Sequence, residues 1–322
     1  MDDVERLAEL KKGLARSLSN IICNDYIFLD LPYYSNIGDS MIWKGTEAFL
    51  ATLPYRCIYR ASIETYLPPD IDKNVIILLH GGGNFGDLWR RHTEFVLKVV
   101  EQFPDNRIVI LPQTVHYQDK AIMIEDAQQL GMHSRLSICA RDAVTKEFLE
   151  KYFSNHVLLV PDMALFVSPK YTSVGKIKRN EKSLFLFRKD KEIRYFDEFE
   201  SLRKQKNTDE RDWPGMEQKL ICTKILSRLI KINKRSKNKK IVYYLSKVID
   251  WYSLKIHMPR LYKIGLQFID KYEKIYSTRL HGAIIGVLLN KKVTVFDNSY
   301  GKNKNFYNTW LKDFNSTVLI DK

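Results

Sequence analysis

The chain opens on MDDVERLAELKKGLARSL, a stretch whose apolar residues recur at helical spacing among charges. From Asp25 onward, short apolar runs alternate with longer segments of three-to-four-residue periodicity. Residues 25–31, 75–79, 107–111, 136–140 and 157–160 read as strands, and 42–53, 87–103 and 120–130 as the helices between them. In 87–103 the apolar positions Leu88, Phe95, Val96, Val99 and Phe103 share one face. A second series follows residues 161–182. Its expected strands are 183–187, 241–244, 275–277 and 293–296, and its expected helices are 259–271, 279–289 and 303–314.

Strands alternating with helices predict βαβ units, and right-handed crossovers turn such units into a doubly wound parallel sheet. Two series predict an α/β protein of two Rossmann-like domains facing across a cleft, with residues 1–166 and 183–302 as the halves. Residues 303–322 are expected to form a C-terminal helix returning to the first domain. The 322 residues accommodate two such units, and no internal repeat or low-complexity tract interrupts them.

In open α/β sheets ligands sit beyond the carboxyl ends of the strands, so the chemistry is sought in the loops that follow them. After the first strand comes YSNIGDS, where Gly38 lets backbone approach a ligand and Asp39 adds a carboxylate. The same residues also suit a cap and a turn. HGGGNFGD (80–87) leaves bare backbone at three consecutive glycines, yet matches neither the Walker nor the GxGxxG spacing. In LPQTVHY (111–117), Gln113 and Thr114 are candidates to donate hydrogen bonds into the cleft, and His116 titrates near neutrality. Arg141, in Ala-Arg-Asp, either clamps a carboxylate or phosphate with its planar fork or pairs with Asp142. In STRLHG (277–282), Ser277 or Thr278 is placed to cap a helix whose N–H groups attract an anion, with Arg279 and His281 in its first turn. Lys302, after Gly301, either meets phosphate or stays solvated.

These blocks resemble, in order, the polysaccharide pyruvyl transferase family: NIGD (36–39), HGGGNFGD, LPQT (111–114), ARD (140–142), PDMA (161–164), STRLHG and the trailing FDNSYGKN (296–303). The likeness runs from Asn36 to about Lys304. It departs over residues 189–258, where little beyond Arg188 and the Asp212-Trp213 pair is familiar. The resemblance implies a fold similar to two-domain GT-B glycosyltransferases, phosphoenolpyruvate as donor, and a cyclic ketal bridging two hydroxyls of a hexose such as galactose. It implies that Arg141, Arg279 and His281 handle the donor. Asn36, Gly38, His80, Gly82, Gly83, Asn84, Gln113, Thr114, His116, Arg188, Leu280 and Lys302 are the further expected substrate-binding residues. For such a reaction His281 is the candidate general acid and Asp39 the candidate base, with His80 or His116 in reserve. The arginines suit the two anions of the donor and the phosphate that leaves. No cofactor is expected, and no metal-ligand spacing is visible.

The formal charge of +14, from 52 Lys and Arg against 38 Asp and Glu, favours anionic partners. Eleven of those cations lie between Lys224 and Arg260, where Asp250 is the only acid and apolar and aromatic residues are interleaved. Such a stretch suits either an anionic membrane surface or a solvated face. A saccharide acceptor on a polyprenyl diphosphate would be presented at that surface, whereas no nucleic-acid motif accompanies the charge. With neither a signal-peptide core nor a membrane-length apolar run, the expected location is cytoplasmic, peripheral at the inner face of the membrane. Four scattered cysteines without a CxxC pair argue for buried free thiols. Trp43, Trp89 and Trp213 are candidates to stack on a sugar or to fill the core. A nucleotide-sugar glycosyltransferase of similar fold, a non-catalytic scaffold protein and a homo-oligomeric state remain open at this level.

Overall fold

The computed structural model describes residues 1–168 and 182–321. The first half begins with helix α1 (Asp3–Ser19), started by a reciprocal box between Asp2 and Glu5. Strands β1 (Tyr26–Leu29), β2 (Cys57–Arg60), β3 (Ile76–Leu79), β5 (Ile108–His116), β6 (Leu136–Ala140) and β7 (His156–Leu159) form a parallel sheet in the order β2-β1-β3-β5-β6-β7. Strand β4 (Gly82–Gly86) pairs with the far end of β5. Helices α2 (Ile37–Leu50), α3 (Arg90–Gln102), α4 (Lys120–Gly131) and α5 (Ala143–Tyr152) supply crossovers, and a 3₁₀ turn at Met163–Phe166 ends this half. The second sheet is also parallel. It contains β8 (Ser183–Leu186), β9 (Thr208–Arg211), β10 (Lys274–Ser277), β11 (Lys292–Phe296) and β12 (Thr317–Ile320), in the order β12-β11-β10-β8-β9. Its helices are α6 (Glu198–Lys204), α7 (Pro214–Glu217), α8 (Ile221–Arg235), α9 (Lys239–Tyr252), α10 (Met258–Asp270), α11 (Leu280–Leu288) and α12 (Lys302–Phe306), with π turns at Ser253–His257 and Tyr307–Leu311.

The doubly wound α/β expectation describes this architecture, but several elements differ from the sequence pattern. Residues 241–244, expected as a strand, lie inside α9. Asn238 caps that helix, and Ser246, Ile249 and Tyr252 bury one face at helical spacing, overriding the β-branched and aromatic run. Helix α2 starts five residues before the expected Ile42, because the Asn36 side chain accepts from Gly38 N and opens the helix there. Residues 82–86 are a strand rather than a loop, and β5 runs on through LPQT. The chain after residue 303 does not end as a helix, since β12 pairs with β11 in the second sheet. Before that, Trp310 Nε1 donates to the Arg141 carbonyl and Thr309 Oγ1 accepts from Ala143 N, tying the segment to the first half. Cys139 and Cys222 are buried, whereas Cys23 is exposed and Cys57 intermediate. No helix among the described residues is long and apolar enough to cross a membrane.

Alternation along β1 explains the layering. Ile27 and Leu29 face one cluster with Phe95 and Val99, while Phe28 faces the other way into a larger cluster. That larger cluster contains Leu78 and Val109 from the first sheet and Leu184, Leu186 and Ile275 from the second. Helix α2 joins the two by packing on α10. Gly265 makes the approach possible, since a Cβ there would lie 2.4 Å from Ile37 Cγ2 and 2.7 Å from Met41 Cε. A separate aromatic cluster, including Phe185, Phe199 and Phe296, covers the outer face of the second sheet.

A core shared by both sheets should melt as one unit. Met41→Ala is expected to cost about 2–5 kcal/mol and to shift a single calorimetric transition. Two transitions, with only one moved, would show the halves folding independently.

Candidate active site

In each sheet the chain reverses its winding once. In the first sheet, β2 and β3 flank β1 on opposite sides, and in the second, β9 and β10 flank β8. These switch points leave crevices at the carboxyl ends of β1 and β3 and of β8 and β10. Between them lies a cavity of about 310 Å³. The first half contributes Tyr34, Asn36, Asp39, Gly83, Asn84, Trp89, His92 and Arg141 to its wall. From the second half come Arg188, Asp190, Glu192, Trp213, Met216, Arg279, Leu280, His281 and Lys302.

The start of α11 is the most distinctive part of this wall. Ser277 Oγ is turned back on Arg279, accepting from its N at 3.1 Å and donating to its O at 2.7 Å. Thr278 Oγ1 donates to Leu186 O and accepts from Arg188 N. Neither hydroxyl caps the helix, contrary to the expectation for this motif, and Arg279 stands at the cap with no side-chain cap bond. The backbone N–H groups of Leu280 and His281 therefore have no acceptor among the described residues. A helix start left open in a cleft is a ready anion receptor.

Four cations converge here, each held by a carboxylate. Arg279 donates through Nε and Nη2 to Asp212 at 2.5 and 2.7 Å, with Asp190 at 3.3 Å. Arg188 bonds Asp190 and lies 2.8 Å from Glu192, which also accepts from Lys302 Nζ at 2.5 Å. Arg141, fully buried, donates Nε to Thr114 Oγ1 at 2.7 Å and Nη1 to Asp162 Oδ2 at 2.9 Å, so its partner is Asp162 rather than Asp142. Burial opposes ionisation of Glu192, but Lys302 and Arg188 hold it below the usual carboxylate range. Arg141 Nη2 has no hydrogen-bond partner among the described residues. A Cβ on Gly83 would sit 3.1 Å from that nitrogen and 3.7 Å from Lys302 Nζ, so the glycine keeps the space between the two cations open.

Two imidazoles are oriented by carboxylates. His281 Nε2 lies 3.3 Å from Asp162 Oδ2, the oxygen that also accepts from Arg141. Burial opposes charge on Asp162, yet His281 and Arg141 hold it well below the ordinary range. The other nitrogen, Nδ1, faces Gly38, where a Cβ would stand 2.5 Å away. His92 Nδ1 lies 2.9 Å from Asp30 Oδ1. Burial disfavours the charged ring, but Asp30 outweighs it and raises His92 above its usual range.

Among the expected site residues, Asn36, Asp39, Gly83, Asn84, Arg141, Arg188, Arg279, Leu280, His281 and Lys302 meet at the cavity wall. Gly38 lies beneath His281, and Gly82 lies behind, at φ 137°. Gln113 and Thr114 do not donate into the cleft. Gln113 Nε2 holds the His80 carbonyl, and Thr114 links Arg141 to Asp142, because β5 continues through them and buries both side chains. His80 is buried against Phe28, and His116 stacks on Tyr300 with centroids 4.5 Å apart. Neither lines the cavity, so the reserve bases are out of place. Of the tryptophans, Trp43 is core, Trp213 is buried with an edge at the wall, and Trp89 is 38% exposed at the cavity, beneath Lys191. Sequence reading missed His92, Asp30, Asp190 and Glu192, which sit in no recognisable block. Asp162 lay within PDMA, where its position after a strand was the available signal. Among the described residues no three His, Cys, Asp or Glu side chains are grouped as a metal ion would need.

The sequence profile of the polysaccharide pyruvyl transferase family matches residues 36–300. The putative pyruvyl transferase EpsO of Bacillus subtilis is 33% identical, over 99% of this chain and 96% of the relative. Pyruvyl transferase 1 of Schizosaccharomyces pombe is 24% identical, over 88% of this chain and 69% of the relative. An uncharacterised Klebsiella pneumoniae protein of known crystal structure shares the fold, with a TM-score of 0.63 and 18% identity, over 97% of this chain and 98% of the other.

The buried histidines set a pH dependence of stability. Burial holds His80 down to about 3 and His257 down to about 4, so both are neutral in the folded protein. Unfolded, each takes up a proton near about 6.5. Their contribution is complete above that pH and is lost as pH falls toward the folded values. In denaturant titrations between pH 6.5 and 4.5, His80→Asn should flatten the dependence by up to about 1.4 kcal/mol per pH unit. Equal slopes would mean that His80 ionises within the fold.

Proposed function

The chain belongs to the polysaccharide pyruvyl transferase family, and from that premise we propose that its cleft transfers pyruvyl from phosphoenolpyruvate to a hexose, galactose favoured, of a lipid-linked capsular or exopolysaccharide precursor. The observation that carries this reading is the uncapped start of α11, with Arg279 and His281 beside it and Arg141 and Lys302 within the same cavity. The donor has two anionic groups a few bonds apart. The open N–H groups with Arg279 form one receptor, and Arg141 Nη2 with Lys302 Nζ form the other.

The reaction makes a cyclic ketal and inorganic phosphate. C3 of the donor gains a proton, the C2–oxygen bond to phosphate breaks with its electron pair leaving on phosphate, and two sugar hydroxyls each lose a proton. One of those protons replaces the one given to C3, and the other leaves with phosphate. His281 is the acid toward C3. Asp162 holds its Nε2, and the absent side chain of Gly38 lets the ring lie against that backbone at the cavity wall. The two hydroxyls call for two acceptors, and Asp39 and His92 on the first-sheet side of the cavity wall are the groups available. Asp39, held by Asn36 Nδ2 at 2.7 Å, takes the proton of the attacking hydroxyl. His92, backed by Asp30, takes that of the hydroxyl that closes the ring. Trp89, partly exposed, offers a face for the hexose.

The test is phosphate release from phosphoenolpyruvate across a panel of diphosphate-lipid oligosaccharides, with product mass. Acceptor-dependent release with a pyruvyl mass gain is expected. His281→Gln should lower kcat by about 10²–10⁴-fold while the thermal shift caused by phosphoenolpyruvate persists. Arg279→Lys should diminish that shift itself, because an ammonium cannot keep the two-point bond to Asp212 and still offer a fixed donor to the anion. Stabilisation by nucleotide sugars in place of phosphoenolpyruvate, or a His281→Gln enzyme at full rate, would sink the assignment.

A further inference from the structure

Helices α8 and α9 form a hairpin whose inner face is ordinary core and whose outer face is not. Inside, Leu226 and Ile249 are fully buried, and Asn233 Nδ2 donates to Ser246 Oγ at 3.0 Å. Outside, Ile225 and Ile232 on α8 are exposed, as are Ile241, Tyr244, Val248 and Trp251 on α9. The α9 residues follow one another at three- and four-residue steps and so make a single stripe. Tyr244 is 66% exposed and Trp251 57%, which is costly for side chains of that size in water. Lys224, Arg228 and Lys231 border the stripe on α8, and Lys240 and Lys247 border it on α9.

We infer that this hairpin face docks on the surface of an anionic lipid bilayer. The apolar stripe alone would also suit a second copy of the chain, and charge decides between them. Between Lys224 and Arg260 there are eleven Lys or Arg and one acid, Asp250. That acid is turned inward, accepting from Tyr33 OH at 2.9 Å and Thr65 Oγ1 at 2.6 Å. Two copies packed through this face would bring two cationic blocks together with no exposed carboxylate to balance them. Anionic headgroups supply the missing charge, and the boundary below them takes in isoleucine, tyrosine and tryptophan. The hairpin is also fastened beside the cleft. Lys234 pairs with Glu64, which accepts from Arg91 Nη1 at 2.6 Å, and Arg91 precedes the cavity residue His92. Docking would thus hold the cleft close to the headgroup layer where a lipid-linked saccharide is presented. That last consequence rests on the proposed function, whereas the docking itself does not.

The full chain, without donor or acceptor, is sedimented with vesicles of phosphatidylglycerol mixed with phosphatidylcholine, and with vesicles of phosphatidylcholine alone. Binding to the mixed vesicles only, falling with added salt, is expected. Lys224→Glu with Lys231→Glu, and separately Tyr244→Ser with Trp251→Ser, should each lower partitioning by roughly ten-fold or more, with unchanged thermal melting. Both variants should keep wild-type rates on a short, water-soluble acceptor, so failure of docking and failure of the proposed reaction are read separately. Equal sedimentation with both vesicle types, or with neither, overturns the inference. So does a dimer in analytical ultracentrifugation that Trp251→Ser dissociates, which would assign the face to a second copy.

Discussion

The arrangement turns on one buried carboxylate. Asp162 sits where the first sheet ends, and it receives Arg141 from the first half and His281 from the second. Its other oxygen accepts from Ala164 N, which starts the 3₁₀ turn. Placing a lone carboxylate in such a site costs several kcal/mol, so it persists because Arg141 supplies the opposite charge and His281 a second partner. The same bonds fix the cavity. They aim the Arg141 fork, choose which nitrogen of His281 faces Gly38, and link the walls of the two switch points. A shift of the second sheet would take His281 away and leave Asp162 with Arg141 alone.

Around that centre, the fold gives up local stability for readiness to bind. The start of α11 has no cap, a forfeit of about 0.5–2 kcal/mol, although Ser277 and Thr278 stand next to it. Their hydroxyls are spent on positioning Arg279 and the β8–β10 edge, so the helix N–H groups stay available. The four cations are likewise kept rigid by four carboxylates, so the proposed donor would meet groups that need little further ordering. Asp212, Asp190 and Glu192 act here as positioning residues, since each bonds a cation rather than facing the cavity centre alone. The shared core beneath, with α2 packed on α10 at Gly265, gives this lattice a stiff floor.

How much of this was legible in the sequence follows from the range of the forces involved. Apolar runs such as 76–79 and 136–140, and the helical periodicity between them, are local and survive in the fold as β3, β6 and their neighbours. The loops after those strands carry the glycines and charged residues of the cavity, because backbone approach and helix starts are also local requirements. Residues 241–244 show where local reading stops. Their side chains favour a strand, but the cap at Asn238 and the buried face of α9 outweigh that preference. Gln113 and Thr114 show the same limit in the site. Their block was recognisable, yet only the continuation of β5 reveals that they brace His80 and Arg141.

By itself, then, the sequence determined the alternation of elements, the two-sheet architecture, and which short blocks reach the cavity wall, those of Arg141, Arg279 and His281 among them. Those properties depend on residue type and on neighbours a few positions away. Tertiary structure alone decided the pairings. Asp30 reaches His92 across 62 positions, Asp212 reaches Arg279 across 67, and Glu192 reaches Lys302 across 110. No spacing rule encodes such contacts, because each is set by how two helices and a strand edge happen to meet. A carboxylate in the chain is only a charge until packing removes its water and leaves it one partner to bond.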